Sequence, residues 1–339
     1  MALKQFNSAE ISFIAKESKR VLKEKGVRRF LWCIPRYIAY GKQYFAKREK
    51  PLTDYDIWIS KNENWDRKII KEKIKKFDFK PLVSIIVPVY NVDPLWLDKC
   101  IESVKNQFYP KWELCLWDDA STNKKTRDCL KRWQKIGDKR IKIGFGKNNE
   151  HICGASNNAL KMATGEFVAL LDNDDELSPD ALYENVKALN KNRNLKFIYS
   201  DEDKLEMDGS RVDPFFKPDW SLHWLLSTMY TCHLSLYHRE IVDSAGGFSK
   251  GYEGAQDYDL ALKIVSGIRK EEIYHIPRIL YHWRKIENST AQNGDAKEYA
   301  YKAGKKSLVE YIKRNKIDGF ATDGIFKGSY RIKRDLKLF

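Results

Sequence analysis

The chain has 339 residues, of which 42% are hydrophobic and 13% aromatic. This composition excludes a disordered protein, and the length allows one large domain or two smaller ones. The formal net charge is +15, and residues 16–50, with twelve Lys or Arg against three Glu, supply +9 of it. A charge so localised is typical of an attached basic surface and argues against a nucleic-acid-binding body.

Three features of the sequence indicate a cytosolic protein. Its six cysteines are scattered and include no Cys-x-x-Cys pair, which favours a reducing compartment. The N-terminus lacks the continuous apolar core of a signal peptide. No apolar run approaches the roughly 18 residues that a membrane-spanning helix needs.

Residues 1–80 are predicted to form a basic helical extension. Within it, residues 30–45 interleave aromatic and aliphatic side chains with Arg and Lys. Such a segment either lies in a membrane interface or folds as a helical hairpin on the main domain, and amphipathicity alone does not separate the two. A second helical pattern, over residues 55–80, ends at Pro81.

After Pro81 the pattern changes to alternating strands and helices. Apolar runs rich in β-branched residues predict strands at 83–89, 114–117, 141–145, 167–171 and 197–199. Amphipathic runs between them predict helices at 95–107, 126–136, 154–163 and 180–190. This succession predicts an α/β domain with a mostly parallel sheet.

Beyond residue 208 the chain is aromatic and irregular, as expected of long loops that shape a binding cleft. The later elements are predicted as a helix at 258–265, short strands at 273–275 and 279–283, and a long helix at 295–313. The tail after Lys316 is basic and less periodic.

The strand at 167–171 ends in an acidic turn that contains Asp172, Asp174 and Asp175. Ligands of open α/β sheets bind beyond the carboxyl ends of strands, so these side chains stand where chemistry is usually done. Crowded carboxylates repel one another unless a cation joins them, and their hard oxygens suit Mg²⁺ or Mn²⁺. The turn therefore predicts a metal site that holds a diphosphate.

Three other interpretations of this turn stay open. A calcium loop needs glycine at its sixth position, where Leu177 stands. An aspartyl-phosphatase nucleophile also follows an apolar strand, but Glu176 occupies the place of its usual Thr or Val. A solvated acidic turn before a helix needs no ligand.

Further polar residues stand at the ends of other elements. Asp118 and Asp119 follow the second strand, where a carboxylate either accepts hydrogen bonds from a nucleotide or caps the next helix. Asp257 and Asp259 stand at a helix start, where an acid either caps the helix or takes a proton from an attacking hydroxyl. His282 follows a short strand and is either structural or the completing ligand of a metal site.

Taken together, these motifs resemble the family 2 glycosyltransferases of the bacterial polysaccharide and O-antigen type. The matching segments follow the family's order and lie at 87–91, 118–122, 154–158, 165–175, 246–248, 256–260 and 282–284. The resemblance implies the GT-A fold, a Rossmann-like mixed sheet flanked by helices. It also implies an inverting transferase that uses a nucleotide-diphosphate sugar and a divalent cation, Mn²⁺ or Mg²⁺.

The resemblance implies roles for individual residues as well. Asp257 corresponds to the catalytic base. The implied metal ligands are Asp172, Asp174 and His282. The implied donor-binding residues are Pro88, Tyr90, Asn91, Asp118, Asp119, Asn158 and Asp172. Within this set Asp118 is assigned to the nucleotide base, and Asp175 is left as a residue on the approach to the next helix.

Two departures from the family pattern refine the expected function. The usual Glu before the catalytic Asp is Gln256 here, which keeps the base but removes a neighbouring charge. The Gln-x-x-Arg-Trp motif of processive synthases is missing, so one sugar is expected to be transferred per binding event. With the basic segment, these features predict a peripheral enzyme on the inner face of the bacterial cell membrane that extends a lipid-linked glycan.

We expect three parts in the chain: the extension at 1–80, the transferase domain at 81–290, and a C-terminal helix with a basic tail at 291–339. Two rival functions are weighed against this one. A sugar-phosphate nucleotidyltransferase needs a glycine-rich loop after the first strand, and residues 89–93 contain no glycine. A non-catalytic carbohydrate- or membrane-binding scaffold does not need the metal and base residues, yet all of them are present.

Overall fold

The computed structural model describes residues 52–286 and 298–334, and the basic segment at 16–50 lies outside them. The described residues fall into two compact units. The first contains residues 52–64 and Asp208–Ser210, and its helix α1 (Asp54–Asn62) begins at a capping box. There the Thr53 hydroxyl accepts a hydrogen bond from the Asp56 N–H at 3.1 Å, and the Asp56 carboxylate accepts one from the Thr53 N–H at 2.9 Å.

The second unit, considered by itself, is built on one mixed sheet. Its strands are β1 (Val83–Val89), β2 (Trp112–Asp118), β3 (Ile141–Phe145), β4 (Phe167–Leu170), β5 (Glu176–Leu177), β6 (Phe197–Leu205), β7 (Arg211–Phe215), β8 (Ser235–His238) and β9 (Ile273–Arg284). They lie in the order β3-β2-β1-β4-β8-β6-β9-β5, with β7 beside β6. Strands β1 to β4 are parallel, β8 is antiparallel to β4 and β6, and β6 and β9 are again parallel.

Helices of the second unit pack on both faces of this sheet. They are α2 (Arg67–Lys75), α3 (Pro94–Lys105), α4 (Lys124–Ile136), α5 (His151–Met162), α6 (Ala181–Lys191), α7 (Leu222–Leu225), α8 (Arg239–Ser244), α9 (Gln256–Val265) and α10 (Glu298–Arg314). Successive strand residues face opposite sides, so Ile85 joins one apolar cluster with Leu97 while Ile86 joins another with Ala159. No helix in the described ranges is both long enough and apolar enough to cross a bilayer.

Helix α2 belongs to the same core as the sheet. Ile70 and Ile74, one turn apart on α2, are buried in the apolar cluster that contains Ile85. The Asp66 carboxylate caps the helix by accepting the Lys68 N–H at 2.8 Å. The compact unit therefore begins at Trp65, before the boundary at residue 80 that the sequence suggests.

Strand β6 runs past its predicted end at residue 199 and carries three acids inside the sheet. Each buried carboxylate meets a basic side chain: Asp201 meets His275 Nε2 at 2.8 Å, Glu202 meets Lys217 Nζ at 3.0 Å, and Asp203 meets His282 Nδ1 at 2.7 Å. Buried charges are tolerated when they are paired in this way. The prediction that the strand stops before these acids was wrong, because the partners are distant in the sequence and leave no local pattern.

The residues after α10 form a hairpin of β10 (Phe320–Asp323) and β11 (Tyr330–Lys333), where the sequence predicted an irregular tail. Tyr330 anchors the hairpin. Its ring stacks on Tyr258 of α9 with 6.0 Å between centroids, and its hydroxyl donates to the Tyr301 carbonyl at 3.1 Å. Strands of four residues are too short to show a clear two-residue periodicity, so the pattern did not reveal them.

Helix α10 comes very close to the turn before α9 at Gly254. This glycine has a φ of +83°, and a Cβ placed on it would lie 2.8 Å from Ala300 Cβ and 2.8 Å from Tyr299 Cε2. The position therefore needs glycine for its left-handed backbone and also for the packing of α10.

Gly254→Ala should lower the free energy of unfolding by about 2–5 kcal/mol, the sum of backbone strain and overpacking. Gly137→Ala is the matched control, because Gly137 has a φ of +76° and no atom within 4 Å of an added Cβ. That variant should lose only the strain component of about 1–2 kcal/mol. Urea denaturation measures both, and equal losses would contradict the tight packing at Gly254.

Candidate active site

A cleft of about 600 Å³ lies beyond the carboxyl ends of β1, β2 and β4. Residues near these strand ends line it: Pro88, Val89 and Tyr90 from β1, Asp119 from β2, and Asp172, Asn173 and Asp174 from β4. Other lining residues come from the starts of α5, α9 and α10, the loop before β8 and the end of β9. Open α/β sheets bind their ligands at this kind of position.

The acidic turn after β4 is held in place by residues of two strands, β1 and β9. Asn173 Nδ2 donates to the Pro88 carbonyl at 2.7 Å, which joins the turn to β1. Arg284 of β9 is fully buried, and its Nε donates to the Asp174 carbonyl at 2.8 Å. Another nitrogen of Arg284 donates to the Glu176 carboxylate. These bonds fix the backbone from which the cleft carboxylates project.

Asp175 is an anchor of this turn and has no access to the cleft. It is fully buried and accepts hydrogen bonds from the Tyr281 hydroxyl at 2.5 Å and from the Arg284 N–H at 2.7 Å. Burial, followed by the charge of Asp174, raises its pKa well above the ordinary range. The Tyr281 hydroxyl also accepts the Asp172 N–H at 3.2 Å, so one buried cluster orders the whole turn.

Of the acids in this turn, Asp172 and Asp174 are the ones that line the cleft. Burial, followed by the charge of Asp172, raises the pKa of Asp174 to about 6. Within the described ranges no Lys or Arg lines the cleft, so no permanently charged cationic side chain balances the pair there.

The donor set fits a hard divalent cation. Among the described residues no group of three or more His, Cys, Asp and Glu forms a metal cage. Mg²⁺-type ions do not need such a cage, because they are commonly held by one or two carboxylates and complete their shell with water and phosphate oxygens. Asp172 and Asp174 supply the carboxylates for that arrangement.

The loops after β1 and β2 are joined through Asn91. Its N–H donates to Ser121 Oγ at 2.9 Å, and its side-chain oxygen accepts the Asn123 N–H at 2.8 Å. Asn91 has a φ of +50° and does not line the cleft. Tyr90, the residue before it, is 47% exposed and lines the cleft.

The two acids that end β2 have different environments. Asp118 is fully buried, and its Oδ1 accepts the Ser121 N–H at 3.3 Å. Its Oδ2 lacks a hydrogen-bond partner in the part of the chain that is described, and lies 3.7 Å from Arg127 Nε. Asp119 lines the cleft and accepts the Glu150 N–H at 2.9 Å. Burial raises the pKa of Asp119.

The start of α9 brings one of its two acids to the cleft. Asp257 lines the cleft, and its Oδ1 accepts the Tyr258 N–H at 2.9 Å. Burial raises the pKa of Asp257 above its ordinary value. Asp259 is buried instead, where it accepts the Ser249 hydroxyl at 2.7 Å and pairs with Lys263 at 3.2 Å. Only Asp257 is placed to meet a substrate.

The structure brings His233, and not His282, to the carboxylate pair. His282 faces Asp203, 2.7 Å from its Nδ1, because successive residues of β9 point to opposite sides and Trp283 takes the cleft side. His233 lines the cleft with its Nε2 3.6 Å from Asp172 Oδ2. Its ring stacks on Tyr281 with 4.5 Å between centroids.

Six of the residues predicted from the sequence line the cleft: Pro88, Tyr90, Asp119, Asp172, Asp174 and Asp257. Four others are bound to neighbouring protein groups: Asn91, Asp118, His282 and Asn158, whose Nδ2 donates to Glu150 at 3.1 Å. The sequence did not identify His233, which belongs to no motif, or Tyr299, which lies on the distant helix α10. The aromatic, irregular sequence after residue 208 predicted that this region shapes a cleft, but it did not identify which residues line it.

Comparison with known families matches residues 84–246 to glycosyl transferase family 2. The O-antigen biosynthesis protein RfbC of Myxococcus xanthus is 34% identical over 263 residues, which span 78% of this chain and 20% of that protein. The putative teichuronic acid biosynthesis glycosyltransferase TuaG of Bacillus subtilis is 30% identical over 237 residues, 69% of this chain and 88% of TuaG. The chain spans between 20% and 34% of the length of three larger relatives.

Two solved structures share the fold. S. aureus TarS in complex with UDP-GlcNAc has a TM-score of 0.54 and 19% identity, with 69% of this chain and 72% of the TarS chain covered. Mannosyltransferase PcManGT from Pyrobaculum calidifontis, in complex with GDP-Man and Mn²⁺, has a TM-score of 0.51 and 20% identity, with 75% and 72% covered. The predicted GT-A architecture is confirmed. With TuaG matched over most of its length, the chain belongs to glycosyl transferase family 2.

Proposed function

We propose that this chain transfers one sugar per binding event from a nucleotide-diphosphate donor to a glycan acceptor, with inversion and with a divalent cation. One observation carries the proposal: a single cleft is lined by Asp172 and Asp174 at the end of β4 and by Asp257 at the start of α9. The first two suit a diphosphate-bound cation, and the third suits a proton acceptor. The names of RfbC and TuaG support bacterial surface polysaccharide as the product class.

Donor binding is assigned to the ends of β1 and β2. The exposed ring of Tyr90 and the adjacent Pro88 offer the nucleotide an apolar surface, and Asp119 accepts hydrogen bonds from its base or ribose. Asn91 and Asp118 are assigned supporting roles, because their side chains order the loops that carry these groups. Asn158 of α5 is likewise assigned a supporting role, because it donates to the side chain of Glu150, whose N–H donates to Asp119.

Asp172 and Asp174 are the residues that would hold Mn²⁺ or Mg²⁺. When bound, the cation neutralises charge that builds on the departing diphosphate. The presence of Mn²⁺ in the PcManGT complex supports this choice. Arg284 keeps the turn rigid, so that both carboxylates stay in position. His233 is assigned as the imidazole beside them, in place of His282.

Asp257 is assigned as the general base. Its carboxylate takes the proton of the acceptor hydroxyl while that oxygen forms a bond to the anomeric carbon. The bond from the anomeric carbon to the diphosphate oxygen breaks, and its electron pair leaves with the nucleotide diphosphate. The attack comes from the face opposite the leaving group, so a single displacement inverts the configuration. The raised pKa makes Asp257 a stronger base than an exposed aspartate.

Asp257→Asn tests the base directly. The variant should bind the donor as the wild type does, while turnover falls about 10²- to 10⁴-fold, the usual contribution of a general base. Calorimetry with Mn²⁺ measures donor binding, and release of nucleotide in the presence of acceptor measures turnover. Glu240→Gln is the control, because that carboxylate is 83% exposed and lies outside the cleft. Wild-type turnover in Asp257→Asn would exclude Asp257 as the base.

Three further variants test the cation site through the Mn²⁺ concentration that gives half-maximal donor hydrolysis. Asp174→Ala should abolish the Mn²⁺ response. His233→Gln should raise the half-maximal concentration at least about tenfold. His282→Gln should leave it unchanged, since His282 pairs with Asp203 outside the cleft. If His282→Gln shifts the Mn²⁺ response and His233→Gln does not, the imidazole is misassigned.

A lipid-linked acceptor and attachment to the inner face of the cell membrane complete the proposal. Both rest on the basic and aromatic composition of residues 16–50, which lie outside the described residues. Transfer of a single sugar rests on the missing Gln-x-x-Arg-Trp motif.

Removal of residues 1–50 tests the membrane attachment. The full chain should sediment with vesicles that contain phosphatidylglycerol, and the truncated chain should stay in the supernatant, because each basic residue near an anionic surface contributes about 1 kcal/mol. Neutral phosphatidylcholine vesicles are the control for non-electrostatic binding. Equal sedimentation of the two proteins with anionic vesicles would show that the segment is not the anchor.

A further inference from the structure

The charge of the cleft is opposite to that of the chain. The formal net charge is +15, yet the carboxylates Asp119, Asp172, Asp174, Glu253 and Asp257 all line the cleft. In the described ranges its potentially basic lining groups are two histidines, with no Lys or Arg. A cation on Asp172 and Asp174 would offset the charge on the donor side, but it would leave Glu253 and Asp257 unbalanced.

Glu253 gives the side of the cleft near α9 a fixed negative charge. Burial opposes its ionisation and is the largest single effect, but hydrogen bonds from the Gly251 N–H (3.1 Å from its Oε1), from its own N–H and from the Cys153 thiol together outweigh it. They hold the pKa of Glu253 below its ordinary value. Glu253 is therefore ionised at neutral pH. An acceptor that approaches Asp257 meets two carboxylates four residues apart in the sequence.

Tyr299 supplies an apolar surface beside these acids. It stands at the start of α10, outside the family-matched residues 84–246, and is 53% exposed while it lines the cleft. The close contact with Gly254 fixes where this ring stands relative to α9. The other aromatic ring of the lining in this region, Trp283, is less accessible to a sugar. Lys204 Nζ lies 3.3 Å from its ring centroid, and His233 contacts it in an edge arrangement.

The cleft wall also contains a buried polar atom that no described residue binds. His233 is only 7% exposed, and its Nδ1 has no hydrogen-bond partner in the described part of the chain. Buried polar atoms normally find partners, so this nitrogen is open to a hydrogen bond from a ligand or a water in the cleft.

We propose that Tyr299, Glu253 and Asp257 form the acceptor subsite, and that it selects an uncharged sugar over a uronic acid or a phosphorylated group. This inference rests on the proposed function. The apolar face of a pyranose ring lies against Tyr299, as sugar C–H groups pack on aromatic rings, and one ring hydroxyl points to Asp257. Glu253 rejects a carboxylate or phosphate on the same ring by like-charge repulsion in a confined space.

The test compares paired acceptors that differ only in charge. The full-length enzyme is given the nucleotide sugar it hydrolyses best, with Mn²⁺ and either the p-nitrophenyl glycosides of glucose and galactose or the matching glucuronide and galacturonide. The neutral glycosides should have a kcat/KM at least about tenfold higher. Equal or preferred use of the uronides overturns the inference, and so does donor hydrolysis without transfer to any neutral glycoside.

Two variants that each remove one negative charge test whether repulsion by Glu253 causes the preference for neutral acceptors. The gap is the ratio of kcat/KM for the neutral acceptor to kcat/KM for the matching anionic acceptor. Glu253→Gln should reduce this gap at least about threefold. Glu298→Gln removes the same charge next to Tyr299, from a side chain that is 80% exposed and outside the cleft, and should leave the gap unchanged. A gap that is the same in Glu253→Gln and the wild type excludes Glu253 as the selecting group.

Tyr299→Ala separates the stacking surface from the donor site. It should raise the acceptor KM about threefold to tenfold, while Tyr299→Phe keeps the wild-type value and Tyr274→Ala, at a 40% exposed tyrosine outside the cleft, serves as control. An unchanged acceptor KM, or an equal rise in the donor KM, overturns the role of Tyr299. Failure to hydrolyse any nucleotide sugar would refute the proposed function itself, a result distinct from a wrong acceptor preference.

Discussion

The candidate site depends on the contacts that the buried side chain and the N–H of Arg284 make with the acidic turn. It donates to the Asp174 carbonyl and to the Glu176 carboxylate, and the Arg284 N–H donates to Asp175. A turn that concentrates four acids in five residues would otherwise open under its own repulsion. Removing one partner from a buried ion pair typically costs about 3–5 kcal/mol, so this side chain stabilises the geometry of the cleft as well as the fold.

Charged and polar pairs between residues distant in the sequence also stabilise the part of the sheet formed by β8, β6 and β9. Acids on β6 meet bases on β9 and after β7, and Lys217, held by Glu202, donates to the carbonyls of Thr231 and His233. The segment that carries His233 into the cleft is thus held by a charge pair within the protein. The parallel strands thus end at Asp119, Asp172 and Asp174, and the rest of the sheet holds the segment that brings His233 beside Asp172.

Much of the parallel half could be predicted from the sequence, because its signals are local. The strand at 83–89 and the acids at the ends of β2 and β4 follow from short apolar runs and their terminating residues. The sequence placed His282 among the metal ligands, but the structure turns it towards Asp203. The side that a residue faces on β9 depends on pairing with β6, which the local sequence does not reveal. His233 and Tyr299 could not be found at all, because tertiary packing alone brings them to the cleft.

The most direct test is the binding of UDP, GDP, CDP and dTDP to the purified protein by calorimetry, with Mn²⁺ and then with EDTA. A carboxylate pair without Lys or Arg in the described lining cannot hold a diphosphate unless a cation lies between them. At least one nucleotide should therefore bind with Mn²⁺ and lose measurable affinity with EDTA. Equal affinity under both conditions would contradict a cation-dependent nucleotide-sugar site at Asp172 and Asp174.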